Sequence, residues 1–395
     1  MKVAINGCGI GGPALAWWLL HYGHEPVLIE EAPKLRQGGY IVDFWGIGYD
    51  VAEKMGLIPE IRNAGYQIEE VRFVDKHGHK SGGFNADVFG RMTHDRFTSA
   101  RRADIGAALY GAVKDRAEVI FGDSVKAVRD DGSRVSLNFE HAPSRDFDLL
   151  IGADGLHSKV RQLVFGPETE FERFLGYRVA AFDVTGYPHR DELIYVSYAE
   201  PGRQVSRFSM RDDRTLFLFV FNDDVPDGRT PATDDERKSV LQGLFGKSGW
   251  ECPQILDFMD GAESIYFDRV SQIRMTSWSK GRTALLGDAA TAVSLLAGEG
   301  TGLAIAEAYV LAGELHRAAG DHAAAFARYE GTLMPFLQAK QESARKFAAS
   351  FAPKTSTGIF IRDMSMNLMS LPWLADLLLG GSVRDDIKLP SYEAA

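Results

Sequence analysis

The stretch KVAINGCGIGGPALAWWLLHYGHEPVLIE, residues 2–30, decides the fold. Residues 2–6 form a short apolar run, a glycine-rich turn follows, residues 13–22 read as a helix, and residues 26–29 form a second apolar run. This is a β-α-β unit, and neither strand alternates with polar residues, as a parallel sheet covered on both faces requires. The turn Gly7-Cys8-Gly9-Ile10-Gly11-Gly12 matches G-x-G-x-x-G. In a chain with 41 glycines chance alone supplies roughly 0.4 such matches, so its weight comes from where it stands. Between a strand and a helix, its amides and the positive end of the helix dipole face a pyrophosphate, and Gly9 lets the phosphates approach the backbone. Glu30 ends the second strand, where a carboxylate accepts hydrogen bonds from an adenosine ribose and repels a 2′-phosphate; NADP is thereby excluded from this site. Glu30 is preferred to its neighbour Glu31 because it directly follows Val27-Leu28-Ile29.

The totals fit a conventional globular core. With 395 residues, 45% hydrophobic and 25% charged, the chain is long enough for two joined domains and shows no low-complexity tract or short repeat. A net charge of −10 argues against nucleic acid, whose phosphates demand a basic surface. Two cysteines, Cys8 and Cys252, build no disulfide framework, and a reducing cytoplasm is the expected compartment. Gly7, Gly9, Gly11, Gly12 and Pro13 interrupt the N-terminal apolar run, so it does not read as a secretory signal. No later segment has eighteen uncharged apolar residues, so no membrane span is expected. His77 and His79 flank a glycine in a turn with no partner ligands at metal spacing, and no metal site is expected.

Further along, residues 71–90 read as short strands, 104–115 as helix, 117–121 as strand, and 148–153 as another buried strand after a polar hairpin at 130–132. From about 174 to 273 the pattern becomes strands joined by turns with few helices, which predicts an antiparallel sheet. Its strand 216–221 is apolar on both faces, with Phe217, Phe219 and Phe221 on one and Leu218 and Val220 on the other. A strand at 284–286 then runs into a glycine-rich turn and a helix from about 301 to 318. Met364, Met366, Leu368 and Met369 are expected in the core rather than in a lid.

Four motifs in this order resemble the p-hydroxybenzoate hydroxylase-like flavoprotein monooxygenases, and within them the group containing tetracycline-inactivating monooxygenases. They are the N-terminal glycine turn with Glu30, Arg102-Ala103-Asp104-Ile105, Gly152-Ala153-Asp154-Gly155-Leu156-His157-Ser158, and Gly287-Asp288-Ala289-Ala290 followed by Gly298-Glu299-Gly300. The resemblance covers nearly the whole chain. It implies an α/β fold in which a Rossmann-like FAD-binding domain (1–72, 96–173 and 274–330) carries an inserted antiparallel-sheet substrate domain (73–95 and 174–273), with C-terminal helices over 331–395. It implies that Gly7, Gly9, Gly12 and Glu30 hold FAD, that Arg102 reaches its pyrophosphate and ribityl region with Arg101 as the neighbour that exchanges roles if the register shifts, and that Asp288 bonds the ribityl chain. Asp154 either lies near the pyrophosphate or caps the following helix. At Gly300 the free helix amides face the flavin N1 and C2 carbonyl. Relatives usually carry proline at the positions of Val293 or Leu295 and a neutral residue at Glu299. Glu299 is expected to face solvent or to serve structure, its alternative being to bind a cationic or hydroxylated substrate.

The implied activity is that NADPH or NADH, arriving transiently without a second Rossmann domain, reduces FAD. Dioxygen then adds at flavin C4a, and the hydroperoxide hydroxylates a small, largely apolar aromatic or polycyclic compound. No side chain has to act as nucleophile. Phe44, Phe217, Phe219 and Phe221 are expected to line the substrate pocket, because flat apolar surfaces suit an aromatic ring. A prenyl-type reductase without oxygen insertion and a non-redox FAD-binding scaffold remain the alternative readings. A halogenase is disfavoured by the lack of a W-x-W-x-I-P motif.

Overall fold

The computed structural model describes residues 1–35, 40–225, 229–369 and 385–392. A six-stranded sheet forms the first half, in the order Ser279–Lys280, Thr283–Leu285, Leu149–Gly152, Lys2–Asn6, Glu25–Glu30 and Glu118–Phe121, parallel except at the Ser279–Lys280 edge. Its central strands are buried along their length, which accounts for their unbroken apolar runs. The helix Gly11–His21 packs on the helix Gly300–Arg317, of which every residue from Thr301 to Leu315 is buried. A helix apolar all round belongs at the centre of a domain.

The second half is a seven-stranded sheet in the order Tyr266–Ile273, Glu172–Thr185, Arg214–Asn222, Arg203–Ser209, Ile194–Glu200, Glu70–Val74 and Lys80–Asn85. It is antiparallel except where Ile194–Glu200 runs parallel to Glu70–Val74, an exception the turn pattern does not announce. The strand Glu70–Val74 also moves the start of the sheet domain ahead of residue 73. Helices Asp234–Phe245 and Cys252–Phe258 cover one face of this sheet. The sequence reading passed over them, although Thr233 and Glu236 make a reciprocal capping box that marks a helix start.

The opposite face turns toward the first half. Tyr177, Val179, Val220 and Val270 cluster with Leu296 from the loop after Asp288, and Leu218, Leu295 and Tyr266 pack against them. This face therefore packs against the loop after Asp288, with Leu218 left half-buried. The C-terminal part contributes helices His322–Phe351 and Ser356–Leu368. Met369 is buried, but Met364 and Leu368 are exposed, so those two leave the expected core.

Candidate functional site

The glycine turn has the open backbone a pyrophosphate needs. A Cβ on Gly7 would lie 2.4 Å from the Ala153 carbonyl and one on Gly12 1.9 Å from the Gly7 carbonyl, whereas one on Gly9 would meet only Arg102 Nη2, at 3.4 Å. Gly7 and Gly12 thus let the strand, turn and helix pack together, while Gly9 presents bare backbone to the cleft. No side chain caps the Gly11–His21 helix and no acid stands in its first turn, so its positive end is available to an anion.

Glu30 stands where expected. Its Oε2 accepts the Cys8 amide at 2.8 Å and its Oε1 the Ala32 amide at 3.0 Å, which fixes the carboxylate beside the turn; Glu31 is exposed. The two neighbouring arginines differ in their surroundings. Arg101 is bound to Asp104 at 2.7 and 2.8 Å, while Arg102 points at Gly9, and no carboxylate among the described residues pairs with it.

Gly287, at φ 65°, turns the chain so that Asp288 opens the next short helix. Burial raises the Asp288 carboxyl above its ordinary range, with Arg102 and Arg161 pulling it back. Water nonetheless reaches its side chain, as it does on the wall of a deep cleft. A Cβ on Gly300 would lie 3.6 Å from Asp288 Oδ1, so the carboxylate borders the start of the Gly300–Arg317 helix. That helix too has no side-chain cap. Gly9 therefore faces Arg102, Arg102 acts electrostatically on Asp288, and Asp288 borders Gly300, with an uncapped helix terminus at either end of the series. Amides, a guanidinium and a carboxylate in that order suit a ligand with phosphates, then hydroxyls, then an electron-rich ring edge, and these residues fit FAD.

Of the other expected positions, two take one of the roles expected of them and the phenylalanines leave theirs. Asp154 accepts from Asn6 Nδ2 at 2.9 Å, Ser158 Oγ at 2.6 Å and the Val160 amide at 3.0 Å, so its oxygens fix the turn, one of its two expected roles. Phe217, Phe219 and Phe221 are buried beneath the two covering helices, with Phe219 meeting Phe245 edge-on at 4.9 Å. They are core on the far face of the sheet and not pocket lining. Phe44 is likewise fully buried in the first domain's core, against Tyr49. Glu299 is turned from solvent, 12% exposed, and bonded to Lys340.

Sequence reasoning missed several residues that shape the site. The loop lacking the family's proline is instead braced by side-chain amides. Gln272 Nε2 donates to the Val293 carbonyl at 2.7 Å, and Gln341 Nε2 donates to those of Ala292 and Ile273 at 2.9 and 2.7 Å. Glu307, inside the central helix, accepts the Gly287 amide and the Tyr329 hydroxyl. A lone carboxylate within the run Leu303–Leu311 was its available signal. At the far side of the cleft, Asp268 joins His157 to Tyr266, whose ring lies 5.7 Å from Tyr40.

A family model described as an FAD binding domain matches residues 1–330. A flavin-dependent monooxygenase from an unknown prokaryotic organism is 33% identical, with 100% of this chain and 99% of that protein covered. One from Legionella longbeachae is 31% identical at the same coverage. The crystal structure of tetracycline destructase Tet(51) matches with a TM-score of 0.83 at 30% identity, covering 99% of each chain. The chain thus belongs to the p-hydroxybenzoate hydroxylase-like family of FAD-dependent monooxygenases.

Proposed function

We propose that this enzyme takes a hydride from NADPH or NADH, consumes dioxygen and hydroxylates a small, largely apolar aromatic or polycyclic compound. The observation that carries the reading is the succession of Gly9, Arg102, Asp288 and Gly300, beneath the apolar sheet face on which Leu218 is left half-buried. Bound FAD, once reduced, supplies the oxygen activation. The chain's part is to hold, shield and polarise. Arg102 and the glycine-turn amides bind phosphates, Asp288 receives ribityl hydroxyls, and the amides at Gly300 donate to a ring edge that becomes electron-rich on reduction. The apolar roof excludes water, which protects the activated oxygen from wasteful release.

The test is anaerobic titration of the purified protein with NADPH and with NADH while the visible spectrum is followed, then turnover with ¹⁸O-labelled dioxygen and a panel of planar phenols and polycyclic compounds. Label in one product oxygen is the expected result. Substrate-dependent nicotinamide oxidation without label in any product would replace this reading by the reductase one.

A further inference from the structure

Glu299 occupies the position just before the first turn of the Gly300–Arg317 helix, where a side-chain oxygen within reach can accept from the free amides. It does not do so. Its carboxylate is held by the Lys340 ammonium at 3.1 Å, and the same ammonium holds Asp385 Oδ1 at 2.8 Å. The three side chains are 12%, 7% and 11% exposed, so this is an internal charge cluster, in which each ion needs its partner. Asp385 is also tied to the neighbouring helix Gly46–Lys54, since its Oδ2 accepts the Ile47 amide at 2.8 Å. Gly48 of that helix lies so close to the Gly300 helix that a Cβ on it would come within 2.2 Å of Gly302 Cα. Two helix starts, a lysine from the His322–Phe351 helix and an aspartate from near the C-terminus thus meet at one node.

We propose that Lys340 is a positioning residue for the flavin: it draws the Glu299 carboxylate away from the first turn of the Gly300–Arg317 helix, leaving those amides for the ring edge. The inference rests on the reading of Gly300 as the flavin-ring end of the cleft. Without Lys340, the Glu299 side chain loses the partner that holds it off the helix start, and its oxygens compete with the cofactor for the unsatisfied donors.

The experiment measures FAD dissociation constants by fluorescence on the apoprotein at pH 8.5, and the midpoint potential of the bound flavin, for wild type, K340M and the double variant E299Q/K340M. K340M is expected to bind FAD about tenfold more weakly and to shift the potential downward, and the double variant to recover most of both losses, because the competing anion is gone. Equal binding and potential in K340M and wild type would overturn the proposal. So would a K340M defect that the double variant retains, or a loss of FAD affinity that only follows the Tm of the apoprotein, since deleting both partners of a buried pair also restores a purely structural loss. If K340M does not fold, Lys340→Gln, which can bond both carboxylates without neutralising them, enters the same comparison. A wild-type protein that takes up no FAD would instead remove the reading of the cleft on which the inference rests.

Discussion

Glu307 Oε2 accepts the amide hydrogen of Gly287 at 2.7 Å, so a carboxyl in the middle of the central helix fixes the turn that presents Asp288. Tyr329 donates to the same oxygen at 3.0 Å. Burial pushes this carboxyl from 4.5 to about 8, against the lowering effect of those two donors. The folded protein therefore keeps a proton that the unfolded chain loses. The resulting stability is complete below about 4.5 and is lost as pH rises through about 8. Glu307→Gln is expected to flatten the fall in Tm across that window. Glu307→Ala is expected to cost roughly 3 kcal/mol by stranding two buried donors. Thermal unfolding from pH 4 to 9 checks both; an unchanged slope in Glu307→Gln would refute the assignment.

The glycines of the turn predict opposite phenotypes. Gly12→Ala drives a Cβ into the Gly7 carbonyl at 1.9 Å and is expected to destabilise the apoprotein by roughly 3 kcal/mol or more. Gly9→Ala meets only the end of the Arg102 side chain, so the apoprotein should melt near wild type while FAD affinity drops. Paired melting curves and FAD titrations of the two variants are the check.

Sheet face separates packing from substrate contact. Phe219→Ala empties a fully buried site between Phe182 and Phe245 and is expected to cost about 3–5 kcal/mol. Leu218→Ala, on the opposite face, is expected to raise KM for the substrate more than it lowers Tm. A Leu218→Ala enzyme with unaltered KM and kcat would place the substrate elsewhere.

His157 links the two halves, its protonated ring donating from Nδ1 to Glu168 Oε1, 2.9 Å away, and from Nε2 to Asp268 Oδ1, 3.2 Å away. Asp268 first, then Glu168, raise the imidazole from 6.5 to about 10. Its stabilisation is complete below 6.5 and lost as pH rises through about 10. Because the ring is partly exposed, His157→Gln is expected to lower stability at pH 7 by about 1 kcal/mol or less. The difference from wild type should vanish at pH 10.5, which denaturant unfolding at the two pH values measures.

Local sequence determined the nucleotide half. A strand, a glycine turn, a helix and a second strand ending in Glu30 lie within residues 2–30, and part of what builds them is itself local, as in Cys8 to Glu30 and Gly7 to Gly12, beside the distant Leu149–Gly152 strand and Gly300–Arg317 helix on which the unit packs. Arg102, Asp288 and Gly300 were singled out for a related reason, as each stands at an element boundary, where backbone donors or charges are left without local partners. Tertiary structure alone decided what those signals leave degenerate. A period of two sorts Phe217, Phe219 and Phe221 from Leu218 and Val220 but does not say which set meets the covering helices and which the cleft. Asp154 carries the same residues around it whether its oxygens serve a ligand or a turn, and only the placement of Asn6, Ser158 and Val160 commits them. Glu299, Lys340 and Asp385 are far apart along the chain, and no local pattern brings their charges to one node. That meeting is settled by the packing of the helices that carry the first two and by the C-terminal segment that carries the third.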